Sequence, residues 1–189
     1  MEQEFVMQTM THTNYFELFG LAPSYRIDMT LLENTFCRLQ GELHPDRHAS
    51  HSENERRMAL QMSADVNDAY RTLRHPVSRA QCLIRLAGYA EAENSATVSP
   101  AFLTAQMEWR EAIEEASAMQ DIKVLEVLAR RLRHKLTTQE NELAAMLDEQ
   151  GDFQAAALRM NELRFYEKLR NDIDDVIENM ESTTSHGRV

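Results

Sequence analysis

Apolar residues return along much of this chain in steps of three and four, the signature of helices with one buried face. Leu32, Phe36, Leu39 and Leu43 follow at intervals of four, three and four. Asp28 is placed to cap that helix, and Gly41, costly in a helix interior, loosens its last turn. Ala59, Met62, Val66, Ala69, Tyr70 and Leu73 line one side of a second helix, opened by the capping box Ser52-x-x-Glu55 and closed by Pro76. Ahead of this pair, Asn14 caps a short helix from Tyr15 to Phe19 that Gly20 and Pro23 end. Behind it, Ser78 to Leu86 forms another short helix, with Ala80, Leu83 and Ile84, stopped by Gly88.

The second half has longer periods. Ser99-Pro100 sets a cap and a first-turn proline in the right order, and the helix it starts runs to about Ala118. A long helix from about Asp121 carries Leu125, Leu128, Leu132, Leu136, Leu143 and Met146, and Gly151 breaks it. A last helix from about Asp152 to Met180 carries Leu163, Tyr166, Ile173 and Ile177. Short connections between long helices imply antiparallel neighbours, hence a three-helix bundle. The expected organisation is all-α: a tail over 1–12, a first domain over 13–86 whose last helix bridges onward, a polar linker over 87–98, a bundle over 99–180 and a frayed tail over 181–189.

Composition narrows the function. A formal charge of −11 argues against non-specific binding to nucleic acid, whose phosphates call for Lys and Arg. Residues 1–82 hold 8 Lys and Arg against 11 acids, and residues 83–189 hold 12 against 20, so the acid is concentrated in the second half. Cys37 and Cys82 make neither a disulfide framework nor a ligand pair, which suits a reducing compartment. With no basic leader and no apolar run of about 18 residues, the expectation is a cytoplasmic protein without a membrane span. Met7 and Met10 are alternative starts to Met1. Five scattered glycines allow neither GxxxxGK nor GxGxxG, and GxSxG is absent, so no catalysis and no cofactor are read in the chain. His44, His48 and His51 raise a metal site, but a held third or fourth ligand is missing and exposed loop histidines are the simpler reading. The paired carboxylates Asp174 and Asp175 read as a solvated face.

His44-Pro45-Asp46 stands between the two facing helices of the first domain. Pro45 cannot extend the first of them, because it lacks an N–H and its ring clashes with the preceding turn. The tip therefore presents an imidazole and a carboxylate. The plain alternative is an ordinary turn, with His44 closing one helix and Asp46 capping the next segment. The order of Tyr15-Phe16-Glu17-Leu18-Phe19-Gly20-Leu21, the tripeptide, and Asn67-x-Ala69-Tyr70-x-x-Leu73 resembles a J domain over about residues 13–75. That resemblance implies docking on a heat-shock ATPase, with Asp46 pairing with an arginine of the ATPase domain and Arg38, Arg47 and nearby Arg26 adding positive charge. Glu33 and Glu42 dilute that charge.

The helix after Pro100 has two apolar rows. Phe102, Ala105, Trp109, Ala112, Ile113 and Ala116 form one, and Leu103 with Met107 a second, about a quarter-turn away. A bundle helix needs one buried stripe. Either the stripe is wide, or Leu103 and Met107 make an exposed strip rimmed by Glu108 and Glu111. Phe165, two residues from Leu163, points away from the stripe of its own helix and extends such a strip.

Leu73-Arg74-His75-Pro76-x-x-Arg79-Ala80, Ala101-Phe102-Leu103 and Leu163-Arg164-Phe165-x-x-Lys168-Leu169, added to the J-domain motifs, resemble the HscB family, co-chaperones of bacterial iron–sulfur cluster assembly, over about residues 13–178. The resemblance implies two partners. The J domain would contact an HscA-type chaperone and stimulate its ATPase, while the bundle would hold an IscU-type scaffold protein through Leu103, Thr104, Met107, Glu108, Glu111 and Phe165. Relatives often carry a larger apolar residue at the position of Thr104. The cysteine-rich zinc segment of some eukaryotic relatives has no counterpart here, which favours a bacterial type. A J protein for another client, or a structural helical adaptor, are the alternatives.

Overall fold

A computed structural model describes residues 14–44, 52–92 and 99–186, and all its regular elements there are helical. They fall into two compact units that divide between Gly88 and Tyr89. The first holds α1 (Tyr15–Leu18), α2 (Met29–Glu42), α3 (Glu53–Arg74) and α4 (Pro76–Leu86). The second holds α5 (Pro100–Ala118), α6 (Ile122–Ala144), a π-helical turn (Ala145–Gln150) and α7 (Phe153–His186).

Asn14, Asp28, Ser52 and Ser99 are all used as hydrogen-bonded caps, whereas the helix expected from Ser78 starts at Pro76 with no side-chain cap. The Asn14 side chain accepts from the Phe16 N–H at 3.1 Å, and the Asp28 carboxylate accepts from the Leu31 N–H at 3.0 Å. Ser52 and Glu55 close a reciprocal capping box, with the Ser52 N–H donating to the Glu55 carboxylate at 2.8 Å. Ser99 accepts from the Phe102 N–H at 3.1 Å, and Pro100 occupies the first turn, where its missing N–H costs nothing.

In the first unit Phe16, Phe19, Leu32, Val66, Ala69, Leu73 and Ile84 are buried. Phe36 of α2 stacks on Tyr70 of α3, ring centres 4.0 Å apart and planes 14° apart. Arg79 on α4 is only 8 % exposed. One guanidinium nitrogen donates to the Leu73 carbonyl at 2.7 Å, and the guanidinium carbon lies 4.9 Å from the Tyr25 ring centre. The last carbonyls of α3 lack partners within the helix and carry partial negative charge, so a cation there satisfies both needs. Arg79 thereby pins the segment before α2 to the α3–α4 corner.

In the second unit Leu125, Leu132 and Leu143 of α6 pack with Met160, Leu163 and Ile173 of α7, all fully buried, and Phe102, Ile113 and Ala116 of α5 complete the core. One polar layer interrupts it. Gln139, 1 % exposed, accepts from Arg159 at 3.1 Å; Arg159 also pairs with Glu162 at 2.6 Å and with Glu142 at 3.2 Å. A buried amide and a guanidinium that must meet permit one pairing of α6 with α7, because any other leaves them desolvated and unbonded.

Three expectations need correction. The long second bundle helix is not α-helical up to Gly151: its last turn, Ala145–Gln150, is a π-helix, and Gly151 follows with φ of 66°. Widening that turn leaves Ala144 and Leu147 both buried before the chain reverses, a demand of packing that periodicity does not reveal. The last helix continues to His186, so residues 181–186 are helical and not a frayed tail. Tyr89, placed in the polar linker, stacks on Phe153 of the second unit with ring centres 5.5 Å apart.

The α5–α6 corner is strained at one residue: Gln120 adopts φ of 52°, where helices usually place glycine. Gln120→Gly is expected to raise the stability of the second unit by about 0.5–1 kcal/mol, read by urea unfolding. Arg79→Ala is expected to destabilise the first unit by about 1.5–3 kcal/mol, since it deletes a charged hydrogen bond and strands the Leu73 carbonyl. An unchanged unfolding midpoint would contradict that role for Arg79.

Candidate functional site

The first site expected from sequence is the tip between α2 and α3. His44 is exposed there, directly after Leu43 closes α2. Pro45, Asp46 and Arg47 lie outside the described residues, as do His48 and His51 of the proposed metal cluster. Among the described residues no group of His, Cys, Asp and Glu is placed to hold a metal ion. Arg26 is exposed on the segment before α2, and Arg38 is exposed on α2 itself. Arg38 does not stand alone: its guanidinium pairs with the Glu42 carboxylate one turn on, at 2.8 Å. The acid that dilutes the charge of α2 in sequence is thus bound to its one arginine, leaving α2 with little free positive charge.

The second site lies on α5. Leu103 is 49 % exposed and Met107 62 % exposed, so neither belongs to a widened core stripe. They sit in a row that continues to Glu111, while Thr104 and Glu108 form the adjacent row. All five are exposed. The Thr104 hydroxyl donates to the Pro100 carbonyl at 3.1 Å, so it turns back on its own helix.

Phe165 on α7 is half-buried, and its environment differs from a simple outward-pointing ring. Its centre lies 5.4 Å from that of Phe102, with planes 83° apart, and 5.5 Å from that of Tyr166. Phe102 meets Tyr166 at 5.8 Å and 77°. Edge-to-face contacts of this kind are worth about 0.5–1.5 kcal/mol beyond the area they bury. Phe102, a core residue, is therefore the link between Phe165 and the helix that bears Leu103 and Met107.

Two cations complete the cluster, and sequence reasoning passed over both. Arg110 holds its guanidinium 5.7 Å from the Phe165 ring centre, and Lys135 of α6 holds its ammonium 5.6 Å from that of Tyr166. Arg110 was findable, since it lies three residues after Met107 and so on the same face. Lys135 was not, because nothing in the spacing of α6 announces which ring it meets. Burial raises the Tyr166 hydroxyl above its ordinary pKa; Glu162 adds to the shift and Arg159 opposes it. Tyr166 contributes to the cluster through its ring, which meets both Phe102 and Phe165 edge-on. What the arrangement offers is a contact surface: two exposed aliphatic side chains, the edge of an aromatic trio behind them, and carboxylates at the rim.

Known proteins give this geometry a context. The family model of the HSCB C-terminal oligomerisation domain matches residues 98–174. The co-chaperone protein HscB homologue of Azoarcus sp. (strain BH72) is 45% identical over 170 residues, covering 89% of this chain and 96% of the relative. That of Cupriavidus taiwanensis is 41% identical over 169 residues, again covering 89% and 96%. Among solved structures, the chaperone HscB from Vibrio cholerae superposes with a TM-score of 0.80 at 36% identity, covering 89% of this chain and 99% of that one. The human co-chaperone protein HscB does so with 0.76 at 26% identity, covering 87% and 82%. The likeness spans both units and takes in the J-domain segment as well as the bundle, and on that evidence this chain belongs to the HscB family of J-domain co-chaperones.

Proposed function

We propose that the protein binds an IscU-type iron–sulfur scaffold through α5 and α7, delivers it to an HscA-type heat-shock chaperone and stimulates the chaperone's ATPase through the His44-Pro45-Asp46 tip, so aiding the maturation of iron–sulfur proteins in the cytoplasm. The single observation that carries the reading is the exposure of Leu103 and Met107 on α5 of an HscB-family bundle. An aliphatic side chain left in water on a helix that already buries a full stripe gains free energy only when a partner covers it. That gain is about 1.5–3 kcal/mol per side chain before association costs are subtracted.

The division of labour has a physical purpose. A scaffold held on the bundle is presented to the chaperone at a tethered, high effective concentration, so its capture no longer depends on free diffusion of three components. At the tip, Asp46 supplies one carboxylate for a charge-assisted bond, whose directional geometry lets it favour one state of the ATPase over another. Nothing in this scheme asks the chain itself to make or break a covalent bond.

Calorimetric titration of a scaffold into wild type and into Leu103→Ala/Met107→Ala/Phe165→Ala tests the first half. Each truncation is expected to cost about 1–2 kcal/mol of binding, enough together to abolish it at micromolar concentration. Because both are exposed, Leu103→Ala and Met107→Ala alone are expected to shift folding stability by less than about 0.5 kcal/mol. Binding that survives in the folded triple variant would move the site elsewhere, and wild type that binds no scaffold would point to a different client. For the second half, His44→Gln is expected to lose most of the ATPase stimulation while scaffold affinity stays at the wild-type value. Unaltered stimulation would mean that the tip is an ordinary turn.

A further inference from the structure

Arg110 is the single base of α5, and it stands among Glu108, Glu111, Glu114 and Glu115, all exposed. A cation so placed is expected to pair with an acid, and Glu114, one turn on, is at the right spacing. Elsewhere arginines do this: Arg38 with Glu42, and Arg159 with Glu142 and Glu162. Arg110 makes no ion pair and no hydrogen bond among the described residues; its guanidinium lies 5.7 Å from the Phe165 ring centre instead. Two local reasons favour that choice. Helical side chains lean toward the helix N-terminus, which carries Arg110 away from Glu114. An arginine that precedes its acid by four residues is also in the weaker order for such a pair.

The contact joins two helices at the level of the exposed patch. Leu103, Met107 and Arg110 follow at four and three, so they share one exposed row of α5. Phe165 belongs to α7 and is half-buried. Phe102 and Tyr166, which meet Phe165 edge-on, are themselves buried and hold it from the core side. Arg110 is exposed, and so reaches the ring from the side open to solvent. The other cation of the cluster differs in this respect. Lys135 lies over Tyr166, a ring that the core already fixes.

A half-buried ring with one open side keeps some freedom, and a partner that uses it must end that freedom at a cost in affinity. A guanidinium set over the ring restricts it beforehand. The attraction is between the positive charge and the negative face of the ring, so it needs a cation and not merely a long aliphatic stem. It acts within the second unit alone and asks nothing of the partner's own charge.

We propose that Arg110 is a positioning residue of the scaffold site: acting through Phe165, it holds that ring in the orientation that the partner meets. This rests on the scaffold-binding reading. The test titrates an IscU-type scaffold calorimetrically into full-length wild type, Arg110→Ala, Arg110→Met and Arg110→Lys, and into the same four with Phe165→Leu added. Arg110 is exposed on a helix, and Ala, Met and Lys are all good helix formers, so the variants are expected to fold; helicity checks this. Arg110→Ala and Arg110→Met are each expected to weaken binding about threefold, the size of an exposed cation–ring contact, while Arg110→Lys, which keeps a cation, stays within about 1.5-fold of wild type. With Phe165→Leu there is no ring to hold, and the four are expected to bind alike within about 1.5-fold. In the free protein, the Phe165 ring resonances, assigned by their loss in Phe165→Leu, are expected to move in Arg110→Ala and Arg110→Met more than in Arg110→Lys. Wild-type affinity in Arg110→Met overturns the proposal, because the stem alone then suffices. A loss that persists in the Phe165→Leu background overturns it too, since the guanidinium then meets the scaffold directly, and so do ring resonances that Arg110→Ala leaves in place. If wild type binds no scaffold, or Leu103→Ala/Met107→Ala binds as wild type does, the scaffold reading fails and the proposal falls with it. Binding lost in that variant but kept in Arg110→Ala refutes the role of Arg110 alone.

Discussion

Each helix of a three-helix bundle can turn one stripe inward, and the organisation of the second unit follows from that limit. Leu125, Leu132 and Leu143 use up the inward face of α6, as Met160, Leu163 and Ile173 do for α7 and Phe102, Ile113 and Ala116 for α5. Whatever apolar surface a helix carries beyond its stripe stays in water. Leu103 and Met107 are such a surplus, and so are Val124 and Val127 on α6. A globular protein without partners gains nothing from these residues. Their place on rows outside the core leaves them available to a partner, as the proposed function requires.

The aromatic trio joins the two roles. Phe102 is buried, yet it belongs to the same turn as Leu103, and its ring supports Phe165 from behind. Tyr166 braces both, held between the Lys135 ammonium and the Arg159–Glu162 pair whose charges act on its hydroxyl. Below them the Gln139–Arg159–Glu142 layer allows α6 and α7 a single alignment, which fixes the level at which Phe165 emerges. Rings packed in this way lose little conformational entropy when a partner arrives, because their rotamers are already restricted. Arg110, poised on the Phe165 face, keeps that ring from being a bare apolar edge in the unbound protein.

Charge is distributed as unevenly as apolar surface. α5 exposes carboxylates, α6 exposes cations, and α2 offsets its arginine with an acid one turn away. Segregated charge of this kind speeds correct encounters and penalises seating the wrong partner on a given face. The same segregation costs some stability through repulsion between like charges along α6.

The helices, their caps and their order were legible in the chain, because local hydrogen bonds and the 3.6-residue period are written into short stretches of sequence. Asn14, Asp28, Ser52 and Ser99 cap the helices that spacing placed after them, and Leu103 with Met107 could be separated from the Phe102 row by angle alone. Whether that second row was buried could not be read, since burial depends on how wide a neighbour's surface is. Long-range contacts were equally hidden: Arg79 over Tyr25, Phe102 behind Phe165, Tyr89 on Phe153 and Arg131 over Trp109 join residues whose distance in sequence gives no hint of contact. The π turn before Gly151, where Ala144 and Leu147 are both buried, was not legible in the periodicity either. The sequence by itself determined which segments coil and which faces are apolar; tertiary packing decided which of those faces stay in water, because a helix carries its own period but only its neighbours set how much of it is covered.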